Sequence, residues 1–111
     1  MPLYMYQGAY TSQSWAAQVK NPQNRIEIVG RQVCEAVGGK LVGAWYCFGD
    51  FDFVLIMDVP NNESMTAISL AVAGGGAIKD SRTTPLMTGA QAVDAMRRVA
   101  DVARVYRPAQ N

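Results

Sequence analysis

The chain of 111 residues has room for one domain, spanning 1–111. Half of it is hydrophobic and only 17% is charged, so a monomer has few charges with which to cover its surface, and self-association is the first expectation. Ten basic and nine acidic residues leave a net charge of +1, and the densest basic pair, Arg97 and Arg98, sits beside Asp94 and Asp101; this excludes a nucleic-acid footprint.

Membrane insertion is excluded by the lack of any apolar run near the roughly 20 residues of a span. The start of the chain has no charged signal-peptide region, which predicts a cytoplasmic protein. In that compartment Cys34 and Cys47 are expected as free thiols.

The tyrosine-rich segment Leu3 to Tyr10 predicts the first strand. Thr11 or Ser12 follows as a helix cap, and Asn21-Pro22 predicts a break, because proline cannot donate to the helical ladder. From Gln23 to Val37, residues Ile26, Val29, Val33, Ala36 and Val37 form one helical stripe, ended by Gly38-Gly39.

Lys40 to Phe48 and Phe51 to Val59 predict two strands joined by Gly49-Asp50, a two-residue hairpin turn. The implied register pairs Phe48 with Phe51, Tyr46 with Phe53, Ala44 with Leu55 and Val42 with Met57, all on one face. Trp45, Asp52, Val54 and Ile56 take the other face, so both are largely apolar.

Pro60-Asn61-Asn62 caps a helix over roughly 63–73, and Gly74-Gly75-Gly76 stops it. Ala77 to Met87 predicts a fourth strand, placed at an edge by Pro85. Thr88 with Gln91 is a capping box for a last helix over about 88–106.

The order strand, helix, strand, strand, helix, strand is the α+β, ferredoxin-like βαββαβ arrangement with an extra C-terminal helix. Its two main helices cover one face of an antiparallel sheet. A free face bearing Phe48, Phe51, Phe53, Leu55 and Met57 would be a large apolar patch, expected to be covered by a second protomer or by the last helix.

The segments Gly38-Gly39-Lys40-Leu41 and Gly49-Asp50-Phe51-Asp52-Phe53-Val54 resemble the GYD-domain family, named for a Gly-x-Tyr-Asp segment in this place. Met1-Pro2-Leu3-Tyr4, the Asn21-Pro22 break and Arg82-Thr83-Thr84 are similar too, so the resemblance spans roughly Met1 to Thr88. It implies a dimeric α+β barrel, in a bacterial family largely without assigned function. The same fold houses amino-acid-sensing domains of transcription regulators, cofactor-free monooxygenases and haem-handling enzymes. Phe51 departs from the family tyrosine, so a role for that hydroxyl is absent.

Histidine is missing altogether, which removes Ser-His-Asp and Cys-His mechanisms and a common metal ligand. No catalytic residue, metal or cofactor is assigned. Asp52 is the candidate polar handle for a ligand amine, its structural alternative being to accept from backbone amides. Arg82, flanked by Thr83 and Thr84, is the candidate clamp for an anion, its alternatives being to pair with Asp80 or Asp52 or to lie at the oligomer rim. Tyr4, Tyr6, Trp15, Tyr46 and Phe53 line either an aromatic ligand cavity or plain core. The expectation is a homodimer or larger homo-oligomer, non-catalytic, that binds a small molecule or regulates; the alternatives are a cofactor-independent monooxygenase or isomerase, and a structural assembly protein.

Overall fold

A computed structural model describes residues 2–110. Strand β1 (Leu3–Tyr10) leads into helices α1 (Ser12–Lys20) and α2 (Arg25–Ala36). Strands β2 (Lys40–Tyr46) and β3 (Phe53–Asp58), helix α3 (Asn62–Gly74) and strand β4 (Ile78–Leu86) complete the repeat. Helices α4 (Gly89–Arg97) and α5 (Val99–Ala103) follow. The sheet order is β2-β3-β1-β4 with every pair antiparallel, the ferredoxin-like topology.

Local chemistry sets the boundaries. The Thr11 side chain accepts from the Ser14 amide at 3.1 Å and starts α1. The Pro22 break separates α1 from α2, and Gly38, at φ +78°, turns the chain out of α2. Asn61 caps α3 through the Ser64 amide at 2.9 Å, and the capping box of Thr88 and Gln91 starts α4.

The hairpin departs from the two-residue turn. Tyr46 pairs with Phe53 and Ala44 with Leu55 as the pattern predicts. Residues 47–52, however, form a six-residue loop closed by the Cys47 amide donating to the Asp52 carbonyl at 2.8 Å. Phe48 and Phe51 are therefore not a strand pair. A bulge between Leu41 and Gly43 also shifts the far end, so Leu41, not Val42, faces Met57.

The free face is the opposite of the one expected. Phe53, Leu55 and Met57 are buried beneath the helices with Tyr4, Tyr6, Tyr10, Ile26, Cys34, Met65 and Ile68. Alternation separates the two faces of a strand but does not say which one receives the helices. The uncovered face is built in rows, Trp45–Val54–Gln7–Arg82 and Gly43–Ile56–Met5–Thr84, with Leu3 and Leu86 beyond. A Cβ on Gly43 would stand 2.4 Å from Trp45 Cη2, so that glycine lets the indole lie along the sheet.

The last helix is two helices. At Arg98 the bonds tighten to i→i−3, Arg98 N–H to Ala95 O and Asp101 N–H to Arg98 O, which ends α4 and starts α5. Neither helix is packed into the body, and from Met87 to Gln110 every residue is exposed except the half-buried Ala92.

Candidate functional site

Asp52 ends the 47–52 loop, one residue before β3. Its Oδ2 accepts the Tyr10 backbone N–H at 2.8 Å and the Trp15 indole N–H at 3.2 Å. Its own amide donates to the Gly8 carbonyl at 2.8 Å. One carboxylate thus joins the end of β1, the first turn of α1 and the mouth of the hairpin.

Rings continue from there in an unbroken series. Trp15 meets Tyr10 edge-on at 5.1 Å and Tyr46 at 6.4 Å; Tyr10 meets Phe53 at 5.0 Å, and Phe53 meets Tyr6 at 6.0 Å. Tilted and edge-to-face contacts at these separations suit the ring quadrupoles. Phe53 sits over Gly8, where a Cβ would come within 2.3 Å of its Cζ.

Five of the candidates from the sequence, Tyr6, Trp15, Tyr46, Asp52 and Phe53, are therefore linked in one cluster. Arg82 is not part of it. It lies in the row of the uncovered face, with its guanidinium carbon 5.6 Å from the Phe51 ring centroid. The sequence reading missed Tyr10, the ring connecting the buried half of the cluster to the accessible half. The signal was the every-second-residue run Tyr4, Tyr6, Gly8, Tyr10.

The cluster borders two hollows. A cleft of about 500 Å³ opens between α1 and the 47–52 loop, with Trp15, Tyr46, Cys47, Phe48 and Asp52 on its walls. A second hollow of about 300 Å³ lies between α2, α3 and the sheet, floored by Tyr6, Tyr10, Phe53 and Leu55 with Arg25 among its lining residues.

Burial pushes the Tyr10 hydroxyl up to about 12, with the negative charges of Tyr46 and Asp52 adding to the effect and Arg25 opposing it. Burial also raises Tyr6, against a smaller contribution from Ser81. The Cys34 thiol is pushed up to about 11, chiefly by burial and then by Glu35. Both cysteines are free. Among the described residues no group of three His, Cys, Asp or Glu stands ready to hold a metal ion, and no helix is long and apolar enough to cross a membrane.

A four-stranded antiparallel sheet in this order, with helices on one face, defines a ferredoxin-like α+β domain. The family model of the GYD domain matches residues 4–96, and the chain belongs to that family. No curated protein matches the chain. Among solved structures, the chain is similar to the crystal structure of MtbAldR, with a TM-score of 0.58 at 14% identity. The match covers 78% of this chain and 52% of that one, so the chain spans about half the length of that protein.

Proposed function

We propose that the chain is a non-catalytic small-molecule-binding or regulatory module that works as a homodimer through its uncovered sheet face. The observation that carries the binding reading is the cleft in which Trp15 and Tyr46 flank the Asp52 carboxylate. Its size of about 500 Å³ falls within the range of small-molecule sites. Two aromatic walls and one anchored carboxylate suit a ligand with an apolar body and a cationic or hydrogen-bond-donating group.

The side chains speak against proton-transfer chemistry. A general base works best with a pKa near the working pH. The chain has no histidine, and Tyr10 and Cys34 are moved further from neutrality, to about 12 and about 11. Asp52 already accepts two hydrogen bonds that hold the fold together.

Dimerisation is supported by the face itself. Leu3, Met5, Val54, Ile56, Trp45 and Leu86 adjoin one another on the uncovered side of the sheet, bordered by Lys40, Asp58, Gln7, Thr84 and Arg82, and a second copy bringing the same face would close the apolar part. Sheet-on-sheet packing of this kind is the dimeric barrel expected from the family resemblance.

Native mass spectrometry of the protein purified from its own organism tests the binding reading. A bound small molecule that disappears in Trp15→Ala, with the fold retained, is the expected result. An adduct-free wild-type protein overturns it.

A further inference from the structure

The chain carries a second unpartnered apolar surface, adjoining the sheet face. The arm formed by α4 and α5 places Ala92, Met96, Val99 and Ala103 along one side, at i, i+4, i+7 and i+11. Asp94, Arg97, Arg98, Asp101 and Arg104 take the opposite side, where Asp94 pairs with Arg98 at 2.7 Å and Asp101 with Arg104. A helix with one apolar stripe is stable when that stripe faces a core. Met96 and Val99 are 67% and 59% exposed, so this chain does not supply one.

The exposed area is too large for a self-contained domain. A compact monomer of 12.0 kDa exposes about 6,000 Å² by the usual scaling. This chain exposes 7807 Å². The excess of roughly 1,800 Å² is about twice the 800 Å² that each partner gives up in a standard interface. The radius of gyration of 17.8 Å likewise exceeds the about 13 Å of a compact chain of this length.

Met87 alone separates the end of β4 at Leu86 from the Thr88 cap, so the arm starts at the edge of the uncovered face, and none of its residues is buried against its own body.

We propose that the C-terminal arm crosses to a second copy of this chain and lays its Met96–Val99 side on that copy, each protomer exchanging its arm for the other's. The inference rests on the homodimer reading. It adds to the sheet contact a second, reciprocal clasp that starts from the edge of that face.

The test uses the full chain with Cys47→Ser and a spin label on Arg97→Cys, mixed with unlabelled, nitrogen-15-enriched chain. Arm exchange predicts that body amides of the enriched copy broaden when the labelled copy is added. A sample that sediments as a dimer and shows no broadening overturns the exchange alone. A monomer overturns the dimer reading and the exchange together. Independently, Met96→Glu with Val99→Glu is expected to weaken the dimer about tenfold or more, as loss of buried apolar contacts does; an unchanged dissociation constant contradicts the clasp.

Discussion

The indole N–H of Trp15 donates to Asp52 Oδ2 at 3.2 Å, on the same oxygen that takes the Tyr10 amide at 2.8 Å. A single carboxylate therefore fixes where the first helix starts relative to the hairpin, and the cleft between them inherits that geometry. Removing it leaves two donors without their acceptor.

Asp52→Ala is expected to lower folding stability by about 1–3 kcal/mol, the cost of leaving donors of charge-assisted bonds unsatisfied. Trp15→Phe, which keeps a ring but deletes the donor, should cost less. Urea denaturation followed by circular dichroism measures both. Equal midpoints for wild type and Asp52→Ala would contradict the anchoring role.

Gly8→Ala should destabilise the chain by about 1–3 kcal/mol, because the new methyl meets Phe53 Cζ and the ring has to leave a packed site. Thermal unfolding is the readout. The loss should shrink when Phe53 is shortened to leucine in the same chain, since the clash partner is then gone.

The raised side chains give a pH prediction with a definite sign. Cys34 and Tyr10 hold their protons more tightly in the folded chain than in the unfolded one, at about 11 and about 12 against ordinary values of 9.0 and 10.0. The unfolded state releases them first, so stability falls where the folded state binds more protons. The contribution is whole below about pH 9, is lost for Cys34 between about 9 and 11, and for Tyr10 between about 10 and 12. Urea midpoints should decline from pH 9 upward, and Tyr10→Phe should lessen the decline at its upper end. A level profile to pH 11 would contradict this.

Much of the fold was legible because the signals are local. Thr11, Asn61 and Thr88 cap the helices that follow them, and Tyr46 faces Phe53 as alternation requires. What stayed hidden depends on tertiary contacts. No residue type announces that Phe53 and Leu55, rather than Val54 and Ile56, meet the helices. Gly49 and Asp50 fit a tight turn, yet Asp52 is drawn away to Tyr10 and Trp15, which opens the loop to six residues. The bend at Arg98 has neither proline nor glycine to mark it. In the candidate site, alternation and aromatic content picked out the linked rings, whereas Arg82 went to the other side of the sheet with Gln7 and Val54, a placement set by the β1–β4 register.

The proposed homodimer places a second copy over the face carrying Ile56, Met5 and Trp45. Sedimentation velocity of the wild-type chain and of Ile56→Lys, at micromolar concentration, tests it most directly. The expected result is a wild-type dimer of about twice the 12.0 kDa chain mass and a folded Ile56→Lys chain shifted to monomer, because a buried ammonium at the centre of the contact is costly. A wild-type monomer, or an Ile56→Lys dimer as tight as the wild type, would contradict it.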